Sequence, residues 1–151
     1  MKTKYSFFIT LFSIISACSL RSQDRQLFNE NNFKSEFLLL INEMDLVCMQ
    51  RQSSLDSSVS LRICYWDSAF KKIASKHFLK DRAIYDGPCF YWNTSGQLSM
   101  KGFYKDNKKN GEWTYYLDDR IHEIGQYQDG KRIGIWSRYD SSGNITSRTT
   151  Y

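Results

Sequence analysis

At 151 residues the chain accommodates one domain with, at most, a leader and one short additional element. Its formal charge of +5 is a mild excess that identifies no partner, and a solvated basic face accounts for it. Two histidines and four cysteines leave little material for a catalytic or metal centre, while Tyr, Phe and Trp make up 16% of the residues.

The N-terminus sets the expected compartment. Lys2 and Lys4 precede a largely apolar stretch over residues 5–15. That stretch is too short to cross a hydrocarbon core of roughly 30 Å as a permanent helix, and its layout is that of a secretory leader. The four residues Ile15-Ser16-Ala17-Cys18 resemble a bacterial lipobox, in which cleavage precedes the cysteine and the new terminus is acylated. The expectation is a lipoprotein signal peptide over 1–17 and a lipidated tether over 18–31, with Cys18 holding the acyl chains. An ordinary cleaved leader followed by a free thiol is the alternative. Cleavage takes Lys2 and Lys4 from the 21 basic residues and none of the 16 acidic ones, lowering the formal charge from +5 to +3. The implied location is the bacterial cell envelope, with the outer membrane favoured over the inner, and a secreted chain has no use for nucleic acid.

From residue 32 the pattern changes. Phe33, Phe37, Leu40, Ile41, Met44 and Cys48 fall on one stripe of a 3.6-residue period, with Asn32 as a candidate cap. This predicts an amphipathic helix over 32–50, against which stands a strand through the unbroken apolar run 37–41. A serine-rich link occupies 51–60. With Cys18 spent on lipid, Cys48, Cys64 and Cys89 remain, and one disulfide among them can be chosen in three ways. Their spacing has no CxxC and no companion His pair, which argues against zinc.

Residues 59–151 read as β-structure, with clear repeats from Gly87. Residues 59–66 alternate and are rich in β-branched and aromatic side chains, and 71–79 read as a returning strand. Gly87, Gly111 and Gly134 then begin successive copies, 24 and 23 residues apart. Two positions on stand Cys89, Trp113 and Trp136, and five positions on Trp92, Tyr116 and Tyr139. Each copy turns at 93–96, 117–120 or 140–143, and the returning strands match Leu98 to Ile121, Gly102 to Gly125 and Tyr104 to Tyr127. Two strands of about six residues with two tight turns fill this period, so each copy is a β-hairpin. Copies in series make an antiparallel meander. Gly130 and Asn107 are placed to supply positive φ, and Gly102 and Gly125, inside strands, to admit an aromatic ring from a neighbouring strand. Cys89, in the tryptophan slot, reads as a small buried hydrophobe. The predicted helix is the element available to cover or cap the sheet.

The pattern G-x-W-x-x-Y, a strand ending in G-x-Y, then D-G-K-x-x-G resembles the bacterial variant of the MORN repeat, which YwqK-type antitoxins also carry. Residues 127–143 match it best, 111–119 lack the tip glycine, and 87–96 replace the tryptophan with Cys89. The resemblance covers residues 87–151. It implies a hairpin array used as a scaffold or contact surface, and its link to antitoxins implies, as the alternative, an immunity-type protein neutralising a cognate toxin.

No chemistry emerges from the remaining motifs. His77 and His122 have no third group placed to orient a base. Asp129-Gly130-Lys131 lacks the strand–loop–helix context of a phosphate loop, and Asp118 and Asp119 read as solvated turn formers without the further oxygens calcium needs. The expectation is a non-enzymatic envelope lipoprotein without cofactor or metal, held to a membrane through Cys18 and serving as a protein-interaction scaffold. Its candidate surface is Trp113, Tyr116, Trp136 and Tyr139, with Lys131 and Arg132 on adjacent turns.

Overall fold

Two-residue turns set the geometry of this chain. In the computed structural model, which describes residues 28–33, 39–43 and 46–151, left-handed backbone recurs in adjacent pairs: Asp106 and Asn107 (φ 48° and 65°), Asp118 and Asp119 (50° and 60°), Asp129 and Gly130 (50° and 83°). Two successive residues with positive φ give a turn whose twist matches that of a hairpin. Asp, Asn and Gly reach this region at the least cost.

The strands are β1 (Leu39–Glu43), β2 (Leu46–Gln52), β3 (Val59–Tyr65), β4 (Ile73–Lys80), β5 (Ile84–Trp92), β6 (Leu98–Lys105), β7 (Lys108–Leu117), β8 (Arg120–Gln128), β9 (Lys131–Tyr139) and β10 (Ile145–Thr150), with these two-residue turns joining β6 to β7, β7 to β8 and β8 to β9. They form one antiparallel sheet in sequence order, a meander in which every strand bonds to its neighbours in the chain. Register shifts punctuate the pairings beside the hairpin tips, between Cys64 and Tyr65, Tyr91 and Trp92, and Tyr115 and Tyr116. Such bulges bend the strand and increase its twist.

The helix predicted over 32–50 is corrected by the structure. A short 3-10 turn (Glu30–Asn32) is followed by Phe33, bridged to Ser53, and then by β1 and β2. In β2 the buried positions Cys48 and Gln50 are two apart, a strand period, and each meets its partner on β3, Cys64 and Arg62. An isolated helix of this length is marginal without a face to pack on, whereas two added strands pair their backbone and bring Cys48 to Cys64. The unbroken apolar run hid that period. No helix among the described residues covers the sheet, nor is any long and apolar enough to cross a membrane.

Apolar burial is divided between the two faces. On one, Phe28 and Phe33 close over Val59, Leu61 and Phe78, with Ile63 and Phe103 at the margin. The Phe28 ring meets Phe78 edge-on at 5.0 Å and lies where a side chain on Gly87 would stand, 2.8 Å away. The end of the segment expected as a tether therefore packs on the sheet, and Glu30 pairs with Lys76 at 2.8 Å. On the other face Cys89, Trp113 and Trp136 form a second core with tyrosines around it. Of the three cysteines left open by sequence, Cys48 and Cys64 are disulfide-bonded and Cys89 remains a buried thiol. The signal peptide expected over 1–17 and the lipidation expected at Cys18 fall outside the described residues.

Candidate functional site

The second core is a column of rings running across the strands. Gly102 on β6 and Gly125 on β8 supply its floor. A side chain at either would stand 2.3 Å from the Trp113 ring or 2.1 Å from the Trp136 ring, closer than any Cβ can approach. Each ring also carries a cation. Lys109 Nζ lies 4.1 Å from the Trp113 centroid, and Arg132 Cζ 3.9 Å from that of Trp136, cation–π distances that favour both partners. The indole N–H groups donate to Phe103 O and Gln126 O, each at 3.2 Å. Tyr104 and Tyr127 meet the indoles edge-on at 5.3 Å and 5.1 Å. Both tryptophans are thereby removed from water although no second layer among the described residues lies above them.

Hydroxyl and charge pairs lace the rim of this column. The hydroxyls of Tyr91 and Tyr104, and those of Tyr115 and Tyr127, lie 3.2 Å apart. Burial, reinforced by these contacts, pushes the Tyr91 and Tyr115 phenols up. Lys109 donates to Tyr115 at 3.0 Å, and Arg132 to Glu123 at 3.0 Å, with Arg138 on the other Glu123 oxygen at 3.3 Å. Burial works against the Arg132 charge, yet its bonds to Tyr127, Tyr151 and Glu123 raise its pKa.

In the unit that precedes these, the same places hold other residues. Cys89 on β5 stands opposite Gly102 on one side and His77 on the other. His77 on β4 stands in the place of the later units' glycine, its ring 4.7 Å from Tyr85 and 4.9 Å from Tyr91. Burial, then the nearby Arg62 charge, depresses its pKa to about 4, and its Nδ1 has no hydrogen-bond partner. Arg62 is itself buried and donates from Nε and Nη2 to Gln50 Oε1 at 3.2 Å and 3.1 Å. His77 and His122 lie on β4 and β8, four strands apart in the sheet order. Among the described residues no group of three His, Cys, Asp or Glu converges as metal ligands.

The opposite face carries a second row, built from pairs rather than single rings. Trp92 stands opposite Leu98, Tyr116 opposite Ile121 and Tyr139 opposite Ile145, each beside a hairpin tip. Tyr65 and Ile73 make the same pairing at the start of the array. Lys76 and Lys101 lie over the Trp92 and Tyr116 rings at 6.0 Å and 5.8 Å. Ile121 and Ile145 remain 42% and 43% exposed, as does Leu117 at the adjoining tip, 60%. The tips are tied to one another: Trp66 donates to Trp92 O at 3.1 Å, Gln97 to Asp119 at 2.8 Å and Arg120 to Ser141 O at 2.6 Å. Aromatic and aliphatic side chains thus form a strip, fixed at its edge, in which the aromatic rings are half-buried and Ile121 and Ile145 are exposed.

No family model matches the chain, and no curated protein or solved structure does either.

The residues expected to form one surface are divided between the faces. Trp113 and Trp136 are buried in the ring column and Arg132 is clamped over Trp136, whereas Tyr116 and Tyr139 belong to the strip opposite. Lys131 is exposed on β9, opposite Gln128. Missing from the sequence-derived set are Leu98, Ile121 and Ile145, the aliphatic halves of the pairs. Their signal was an aliphatic residue following each tip five or six positions after the aromatic one. The cation over each indole was likewise written two positions before the glycine that begins the copy, as Lys109 and Arg132.

Proposed function

We propose that the protein is a non-enzymatic lipoprotein of the bacterial envelope, anchored through acylated Cys18, whose MORN-like hairpin array is a scaffold for one protein partner. The observation that supports this reading is the strip in which half-buried Trp92, Leu98, Tyr116 and Tyr139 stand beside exposed Ile121 and Ile145. Neither buried cluster, on either face, includes any of these six residues, so the strip contributes little to the described core. Repeated aromatic–aliphatic pairs on tied hairpin tips present a rigid apolar surface, the kind that binds with small loss of side-chain entropy. Anchoring by acyl chains keeps that surface near the membrane without a spanning helix.

Two substitutions test the surface without touching either core. Ile121→Asp with Ile145→Asp is expected to abolish recovery of the partner cross-linked to the full-length protein in envelope preparations, with thermal stability held. Undiminished cross-linking by this variant would refute the strip as the contact surface. Cys18→Ala is expected to move the protein from the membrane to the soluble fraction, and retention at the membrane would refute the anchor.

A further inference from the structure

We propose that the β1–β2 hairpin is a detachable element locked onto the array by the Cys48–Cys64 disulfide, so that reduction opens the sheet at the seam between β2 and β3. From β5 onward, successive units are joined by rings pressed onto glycines. At the β2–β3 seam the described contacts are of another kind. Cys48 is the one buried apolar residue of β2, and neither apolar core includes a described β2 side chain. The inward polar group of β2 is Gln50, which receives the Arg62 guanidinium and donates to Arg82 O at 3.0 Å. Water can replace such bonds when the hairpin leaves, whereas it cannot replace an indole pressed on a glycine. Besides its backbone ladder and these polar contacts, the seam carries the covalent bond between the directly paired Cys48 and Cys64.

The reaction is thiol–disulfide exchange with a dithiol reductant. One thiolate of the reductant attacks a sulfur of the pair, forming a mixed disulfide and expelling the other cysteine as its thiolate. The second thiol of the reductant then attacks the mixed disulfide. Two electrons and two protons pass to the protein, leaving Cys48 and Cys64 as thiols and the reductant as its disulfide. Both cysteines are buried, so attack follows fraying at β1, the outermost strand. Opening turns β3 into an edge strand with unpaired backbone groups, a surface that accepts an added strand.

Hydrogen exchange read by mass spectrometry on the whole protein tests this, comparing the oxidised form, the form treated with dithiothreitol and the Cys48→Ser/Cys64→Ser variant. Amides of residues 39–52 are expected to exchange about a hundredfold faster in both altered forms, the factor a loop of this size confers. Those of 98–139 are expected to be unchanged, with the near-ultraviolet signal of Trp113 and Trp136 retained. Equal protection of 39–52 in the variant would overturn the lock. Acceleration spread evenly through 98–139 would overturn the idea of a separate hairpin.

Discussion

In β6–β9 the tryptophan of each unit lies on a glycine of the preceding strand, whereas at the β4–β5 pairing the corresponding places hold Cys89 and His77. The bulk has changed sides. In the later units the following strand supplies a large ring and the preceding strand supplies nothing. In the earlier one the preceding strand supplies the ring of His77 and the following strand the small Cys89. Total volume across the pair is what the sheet conserves, and either distribution fills it. The consequence is electrostatic. An indole satisfies its single donor on a carbonyl and carries a cation outside the core, while His77 brings a titratable group inside, next to Arg62. The later units therefore bury neither an imidazole nor a thiol, and the earlier ones bury both.

The sharpest way to break this contrast is to remove a ring from the column. Trp113→Ala is expected to cost about 4 kcal/mol in urea unfolding, because the cavity has no neighbour free to collapse into it. The mirror experiment fills the floor. Gly102→Ala or Gly125→Ala should cost roughly 3 kcal/mol by pressing a methyl into the indole, and a loss under about 0.5 kcal/mol in either would show that the ring can shift aside. In the earlier units the handle is pH. His77 is held neutral, its pKa depressed from 6.5 to about 4, so its contribution is complete above pH 6.5 and is lost as pH falls toward 4. The loss, on the order of 3 kcal/mol, should appear as a steeper acid limb in the native protein than in His77→Gln. Identical limbs would mean that His77 titrates normally in the fold. A smaller effect belongs to the cations: Lys109→Met is expected to cost about 1 kcal/mol, less in high salt if solvent reaches the pair.

Much of this array is legible in the sequence. The period of the glycines predicts hairpins in series, Asn107 and Gly130 stand at positive φ as their turns require, and Gly102 and Gly125 admit the rings. Cys89 is buried, as its place in the tryptophan slot predicts. The two-faced arrangement was also within reach, since Trp113 and Tyr116 are three positions apart and a strand alternates every residue. Grouping them by residue type as one aromatic surface overrode that parity. The β1–β2 hairpin was harder, because an unbroken apolar run carries no period and the evidence for a strand lies in partners on β3. Pairing among Cys48, Cys64 and Cys89 depended on register, which spacing alone does not fix.

A double-mutant cycle on the divergent unit weighs all of this at once: His77→Gly, Cys89→Trp and the two together, each unfolded in urea at pH 7. Each single change should destabilise the protein, the first by leaving a void and the second by forcing an indole against an imidazole. Together they rebuild the glycine-and-indole arrangement of the later units, and the double variant should be more stable than either single one, with a coupling of about 2 kcal/mol or more. Penalties that simply add would mean that strand position, and not shared volume across the pair, decides what each site holds.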